Sequence, residues 1–67
     1  MMEVTIKPDN KKLSIGAVKD VKELIKQIGY GEEEVLIIDP EEWRLLSIDE
    51  RLRPDQKIEI RKVISGG

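Results

Sequence analysis

Every second residue is apolar near the start of the chain, which is the pattern of a half-buried β-strand and predicts one over residues 2–7. The turn formers Pro8-Asp9-Asn10 follow, since proline fixes φ and Asp and Asn tolerate turn geometry. The alternation resumes at Leu13 and Ile15. Two strands joined by this turn predict an N-terminal hairpin.

The apolar spacing changes after Ala17 to one residue in every three or four, the period of an α-helix packed on one side. The positions of this stripe are Val18, Val21, Leu24, Ile25 and Ile28. Asp20 is predicted in the first helical turn, where the helix dipole favours a carboxylate. Gly29 is predicted to end the helix, because glycine readily adopts the left-handed conformation.

The middle of the chain is predicted to hold short elements. A solvated loop over residues 32–34 leads into an apolar strand over 35–38, which Asp39-Pro40 ends. A shorter strand is expected over 43–46 and a helical turn over 48–52. Neither a linker nor a repeat separates these elements, so they extend the same domain.

The last predicted element is a strand that runs almost to the end of the sequence. Residues 57–61 alternate, Val63-Ile64 extend that strand, and Ser65-Gly66-Gly67 closes the chain. The element order indicates an α+β fold, a mixed sheet of four to five strands with one helix packed across one face. We predict a single domain over residues 1–64 and a flexible tail over 65–67.

Cysteine and histidine are absent from the 67-residue chain. Disulfides, thiolate and imidazole metal sites, Cys nucleophiles and His bases are therefore excluded. The sequence has neither the ~20 apolar residues of a membrane span nor the apolar run of a signal peptide. We expect no bound cofactor or metal, no membrane partner and a cytoplasmic location.

Charged residues make up 39% of the chain and leave a net charge of −2. A nucleic-acid partner is not expected, because binding through counterion release needs a basic surface. From Glu32 to Glu50 there are eight acidic residues and one basic residue, whereas from Arg51 onward there are five basic residues and two acidic ones. Two interpretations stay open: two solvated faces, or a basic stripe that leads to the C-terminus and meets an acidic partner.

The strand order and a Gly-Gly end directly after a strand together resemble the β-grasp sulfur carriers and ubiquitin-like modifiers. The resemblance covers the whole chain and is most specific over residues 52–67, Leu-Arg-Pro-Asp-Gln-Lys-Ile-Glu-Ile followed by Arg-Lys-Val-Ile-Ser-Gly-Gly. The chain is most similar to the thiamine-biosynthesis sulfur carrier type, followed by the molybdopterin synthase small subunit and archaeal small modifier proteins. The family often has glycine where this chain has Pro54-Asp55, a departure that should alter the turn and not the tail.

This resemblance implies a β-grasp fold and a carrier that is not an enzyme. A ubiquitin-activating-type adenylating enzyme would use ATP to activate the Gly67 carboxylate, and a sulfur donor would leave a thiocarboxylate there. The sulfur would pass to an acceptor enzyme for thiamine, molybdopterin or transfer-RNA thiolation. Two alternatives stay open: a modifier joined through Gly67 to lysines of other proteins, and a non-covalent interaction module. The free protein is expected to be a monomer.

The tail chemistry also has a physical basis of its own. A carboxylate is a poor electrophile until adenylation turns it into an acyl-phosphate anhydride. Gly66 and Gly67 lack Cβ atoms and can enter a narrow channel, and residues 65–67 reach about 10 Å beyond the final strand. A frayed chain end is the alternative explanation of the two glycines.

A docking surface is expected on the sheet face that the helix leaves uncovered, because one helix covers only one face. If Ile58 and Ile60 face the helix, Glu59, Arg61 and Val63 face away from it. The apolar run must also turn two residues outward, either Leu36 and Ile38 or Val35 and Ile37, with Leu45 or Leu46 beside them. We predict partner docking through Val63, Arg61, Leu46, Leu36 and Ile38. The alternatives are a covering loop or scattered single residues.

Two further features of the sequence are candidate sites. Trp43 is expected to be a partly buried anchor at a sheet edge. The carboxylate pairs Glu41-Glu42 and Asp49-Glu50 have the chemistry for acid–base work, but neighbouring residues on a strand face opposite ways. They are expected to be solvated surface.

Overall fold

The computed structural model describes residues 1–63, so the predictions made for residues 64–67 lie outside the described residues. Within that range the chain forms five strands and one α-helix, with a 3-10 turn over Glu32–Glu34. The strands are β1 (Met2–Lys7), β2 (Lys11–Ile15), β3 (Val35–Asp39), β4 (Arg44–Leu45) and β5 (Lys57–Lys62), and the helix is α1 (Val21–Ile28).

The five strands form a single mixed sheet with the order β2-β1-β5-β3-β4. β1 pairs with β2 in antiparallel and with β5 in parallel orientation, and β3 pairs with β5 and β4 in antiparallel orientation. The last strand of the chain therefore lies at the centre of the sheet. The predicted class, a small α+β protein with one helix and a mixed sheet, is confirmed, and the sheet has five strands.

The hydrophobic core lies between one face of the sheet and α1. Alternate residues of β1, β3 and β5 are buried and pack in the same cluster as the apolar stripe of the helix. This cluster consists of Met2, Val4, Ile6, Val18, Val21, Leu24, Ile25, Val35, Ile37, Leu46, Leu52, Ile58 and Ile60. The sheet face opposite α1, called the outer face below, therefore carries the other residues of each strand.

The helix begins at Val21, three residues later than the apolar stripe suggests. Asp20 is the N-cap rather than a first-turn residue: its backbone is extended, and its Oδ1 accepts a hydrogen bond from the Glu23 N–H at 2.9 Å. A side chain that caps the helix in this way satisfies one of its free N–H groups and fixes where the helix starts. Val18 is buried but precedes the helix.

Gly29 ends the helix as predicted. Its φ is 99°, and its backbone N–H donates to the C=O of Ile25 at 2.9 Å. Open space surrounds the position where a Cβ would stand, so the requirement for glycine comes from the backbone alone.

We expect Gly29→Ala to lower the free energy of unfolding by about 1 kcal/mol, because an L side chain is strained at this φ. Gly16→Ala is the matched control, since its Cβ would also meet open space and its φ is not positive. That substitution should be neutral or slightly stabilising. Urea denaturation of both variants tests this, and equal losses would contradict it.

The segment over 48–52 is not the helical turn that the sequence indicates. It has a turn at residues 48–49 and is then tied to the start of α1 by backbone hydrogen bonds. The N–H groups of Val21 and Lys22 donate to the carbonyls of Glu50 and Ile48 at 3.0 and 2.9 Å. The first N–H groups of a helix lack partners inside it, and here the segment supplies carbonyls to them instead of folding into a helix itself.

Candidate functional site

The end of β5 leads to the tail that the sequence singles out. At Val63 the chain is still held to the sheet, because its backbone N–H donates to the C=O of Glu34 at 2.7 Å. Ser65, Gly66 and Gly67, the predicted reach and reactive positions, lie outside the described residues. The site that can be described is therefore the surface of the sheet that adjoins this exit point.

Four of the five predicted docking residues lie together beside this exit. Leu36 is opposite Arg61 in the β3–β5 register and faces outward with it, while Ile38 follows on the same face of β3. Leu36 and Val63 are 45% and 44% exposed, and Ile38 is half-buried. Of the two alternatives for the apolar run, Leu36 and Ile38 outward is the one that the structure contains.

Leu46 was predicted as a docking residue, and that prediction is wrong. Leu46 is only 7% exposed and belongs to the core, and its backbone N–H donates to the C=O of Ile37 at 2.8 Å. Leu45 is opposite Ile38 and therefore shares the outer face, where it is 63% exposed. Neighbouring strand residues face opposite ways, so Leu45 takes the outward position.

Glu59 is a buried carboxylate on the outer face. It is 7% exposed, lies opposite both Thr5 and Ile38, and accepts a hydrogen bond from Arg61 Nε at 2.7 Å. An open depression of about 610 Å³ covers this half of the face, lined by Glu3, Thr5, Lys7, Asn10, Lys12, Pro40, Lys57, Ile58 and Glu59. The outer face thus divides into a polar half with excess lysine and an apolar half that reaches the exit of the chain.

The basic residues after Arg51 do not form one continuous stripe. Lys57 and Arg61 share the outer face with Glu59, whereas Lys62 is one residue out of phase with them. Lys62 Nζ lies 3.3 Å from Asp9 Oδ2 and 5.9 Å from the centre of the Tyr30 ring. The hydrogen bond to Asp9, followed by the charge of Tyr30, raises the pKa of Lys62 above its ordinary value.

Three of the four paired carboxylates, Glu41, Glu42 and Asp49, are exposed as expected, and Glu50 is half-buried. Arg44 Nε is 3.0 Å from Glu42 Oε1, and Arg44 also donates to Glu50. The Arg44 hydrogen bond holds the pKa of Glu50 below its ordinary value, and the same contacts raise the pKa of Arg44. Exposed ion pairs of this kind add little stability.

Trp43 is the feature that the sequence interpretation missed. The predicted partly buried anchor is 68% exposed, and its φ of 54° lies in the left-handed region. A bulky residue there is a backbone outlier, which costs of order 1–3 kcal/mol. Trp43 precedes β4 instead of belonging to it, in a turn over residues 40–43.

A buried aspartate holds this turn in place. Asp39 Oδ1 accepts hydrogen bonds from the backbone N–H groups of Glu41 and Glu42 at 2.9 and 3.2 Å, and Oδ2 accepts a long one from Gln56 Nε2 at 3.4 Å. The Trp43 N–H donates to the Asp39 carbonyl at 2.7 Å. Asp39-Pro40 was a usable signal, because Asp side chains often bond to the backbone two residues on.

We expect Trp43→Gly to change the free energy of unfolding by less than about 1 kcal/mol, and in the stabilising direction. Glycine relieves the strained φ, and an indole that is 68% exposed gives up little buried area. Leu46→Ala, in the core two residues after the β4 start, should instead cost about 2–5 kcal/mol. Thermal and urea unfolding would refute this if Trp43→Gly proved as damaging as Leu46→Ala.

Two kinds of site are absent from residues 1–63. No three acidic side chains there are grouped closely enough to hold a metal ion. The one helix of this range is also too short and too polar to cross a membrane.

The described site belongs to a small α+β protein with a mixed five-stranded sheet. No protein-family model matches the chain, and no curated protein matches it either.

Proposed function

We propose that this chain is a β-grasp sulfur carrier whose Gly67 carboxylate is activated by a partner enzyme. The observation that carries the proposal is the position of β5: the last strand occupies the centre of the sheet and is followed, after residue 62, by Val-Ile-Ser-Gly-Gly. The strand order and the single helix are compatible with a β-grasp fold. We propose that the sheet is the body from which the residues after Val63 are presented to the partner.

The proposed chemistry takes place in two steps at the terminal carboxylate. A Gly67 oxygen attacks the α-phosphorus of ATP, and pyrophosphate leaves, which gives an acyl-adenylate. A sulfur donor at the oxidation level of hydrosulfide then attacks the acyl carbon, and AMP leaves with the electron pair of the broken C–O bond. The product is a thiocarboxylate, so no change in oxidation state is required. In this proposal ATP and its metal ion belong to the partner, and both proteins are cytoplasmic.

The outer face is the proposed docking surface for the adenylating enzyme. Leu36, Ile38 and Val63 supply apolar contact, with Leu45 in the position first assigned to Leu46. Arg61 stands beside Leu36 and is partly engaged with Glu59. Exposed apolar patches bordered by polar groups commonly mark protein contacts. Docking here would leave the last residues free to extend into the enzyme.

The proposal is tested with the adenylating enzyme of the same host. The full chain and a variant that lacks Gly67 are each incubated with enzyme, ATP and labelled pyrophosphate. We expect exchange of label into ATP with the full chain and none without Gly67. Exchange that persists without Gly67, or fails with the full chain, would count against activation of this carboxylate.

The same reaction separates the carrier from a protein modifier. After adenylation, a carrier accepts sulfur, whereas a modifier is attacked by a lysine amine and forms an isopeptide bond. Adding a sulfide source should therefore yield a terminal thiocarboxylate on this chain. Stable conjugates with other proteins, formed in host extract and dependent on Gly67, would identify a modifier instead.

A further inference from the structure

Trp43 combines two unfavourable properties that folding does not require. Its indole is 68% exposed, although tryptophan is usually largely buried, and its backbone has a left-handed φ. The adjoining Leu45 is also mostly exposed. Non-glycine residues in such conformations cluster at ligand clamps and binding sites, where neighbouring structure holds them.

The turn that carries Trp43 is held by buried contacts rather than by the indole. Asp39 is buried, and its carboxylate bonds to the backbone N–H groups of Glu41 and Glu42. The Trp43 backbone itself bonds to the Asp39 carbonyl at 2.7 Å. The side chain is therefore displayed from an ordered backbone, which reduces the entropy lost when a partner binds it.

The exposed apolar residues form a row across the outer face. The row starts at Val63, where the chain leaves the sheet, crosses β3 at Leu36 and Ile38, and reaches Leu45 on β4. Strands lie about 4.8 Å apart, so the row spans roughly 10 Å across the sheet from β5 to β4, and it also advances along β3 from Leu36 to Ile38. Trp43 precedes Arg44, the first residue of β4, so its backbone lies next along the chain from the Leu45 end of this row. A partner that holds the tail and covers the row would meet Trp43 next.

The charges around Trp43 indicate the character of that partner's surface. Glu41 and Glu42 precede it and are exposed, while Arg44 is engaged with Glu42 and Glu50. These four side chains carry three negative charges and one positive charge. A complementary pocket would be apolar inside and lined by Lys or Arg at its rim.

We propose that Trp43 is the anchor through which the adenylating enzyme grips this chain, seated in an apolar pocket with a basic rim. The inference rests on the proposed function and adds to it a binding residue that the resemblance did not indicate. Exposed tryptophans are prominent among residues that dominate binding energy. The anchor lies away from Gly67, so it acts on binding and not on the chemical step.

The test measures KM and kcat for Gly67-dependent pyrophosphate exchange with Trp43→Ala and Trp43→Gly. We expect KM to rise about 30-fold or more, which is the loss expected of a binding hot spot when each 1.4 kcal/mol corresponds to a tenfold change. The kcat should stay within about 2-fold, because the lost contact stabilises the bound state and the transition state equally. Gln27→Ala, an exposed position of α1 on the other side of the sheet, is the control and should leave both constants unchanged. Unchanged KM in the two Trp43 variants, or an equal fall in kcat, would overturn the anchor role.

A second readout identifies the occupant. The chain contains one tryptophan, so fluorotryptophan labelling places a single fluorine NMR probe at Trp43. The resonance should shift when the enzyme is added and stay in place when the chain alone is concentrated. A shift with concentration alone would mean that a second copy covers Trp43, and this would overturn the proposal.

Charge reversal tests the basic rim separately. The double variant Glu41→Lys with Glu42→Lys should raise KM several-fold at low salt. Glu33→Lys, at an exposed residue outside the turn over residues 40–43, should leave KM unchanged. If the double reversal lowers KM, the assigned rim charge is wrong.

If the unmodified chain supports no Gly67-dependent exchange, the proposed function and the anchor fail together. Exchange with unchanged KM in the Trp43 variants removes the anchor alone.

Discussion

One alanine added after Gly67 is expected to lower the rate of acyl-adenylate formation by about 100-fold or more. The extra residue moves the terminal carboxylate by up to about 3.5 Å, and a misplacement of 1 Å can already cost about 100-fold. It also places a Cβ where the proposed channel takes only glycine. Single-turnover release of pyrophosphate at saturating chain concentration measures this effect.

Ser65→Ala is the control for the extended chain, since it changes a tail side chain and preserves the tail length. This variant should keep the rate within about 2-fold if residue 65 only supplies reach. Docking through the outer face should be the same for both variants, so their KM values should agree. A capped chain that reacted as fast as the unmodified one would show that the reactive group lies elsewhere.

Asp39→Ala is expected to lower the free energy of unfolding by about 3 kcal/mol. The carboxylate is buried and accepts two backbone hydrogen bonds at 2.9 and 3.2 Å, and hydrogen bonds to charged groups contribute about 1.5–3 kcal/mol each. Each kcal/mol corresponds to roughly 4–8 °C in Tm for a domain of this size. Urea denaturation gives the free energy, and calorimetry the Tm.

Asp39→Asn is the matched variant because it retains an oxygen that can accept from Glu41 and Glu42. Its amide nitrogen would, however, face Gln56 Nε2, which now donates to Asp39 at 3.4 Å. We expect an intermediate loss. If Asp39→Ala stayed within about 0.5 kcal/mol of the unmodified chain, the turn would be held by something other than this carboxylate.

The apolar–polar periodicity of the sequence predicted those elements in which burial follows the same period. β1, β2 and β5 alternate between apolar and polar residues, so both their existence and their inward faces could be predicted. The run over 35–38 is apolar throughout and contains no polar residue to mark the outward side. Only its register with β5, where Leu36 is opposite Arg61, decides which residues face outward.

The errors arose where tertiary contacts decide the conformation. Leu45 and Leu46 are chemically identical, and β4 consists only of Arg44–Leu45, which is too short for an alternation that would separate the two leucines. The hydrogen bond from the Leu46 N–H to the Ile37 carbonyl fixes the second leucine inward. The start of α1 was also misplaced, although aspartate is a preferred N-cap and Asp20 offered that signal.

The exposed fraction of a side chain was harder to predict than the face of the sheet on which it lies. Parity placed Glu59 on the outer face, but nothing in the sequence indicated that Thr5, Ile38 and Arg61 would surround it there. Trp43 shows the opposite case, because a tryptophan in a chain poor in aromatics suggests burial. The bonds of Asp39 to the following turn place Trp43 outside, and they follow from geometry rather than from composition.

The most direct test of the central proposal is the intact mass and C-terminal peptide of this protein purified from its native cells without reducing agents. The proposal predicts a chain that ends at Gly67, with sulfur in place of one terminal oxygen in a fraction of the molecules. That fraction should disappear when the adenylating enzyme is deleted. A chain that continues past Gly67, or one that carries only the free acid in every growth condition, would contradict the proposal.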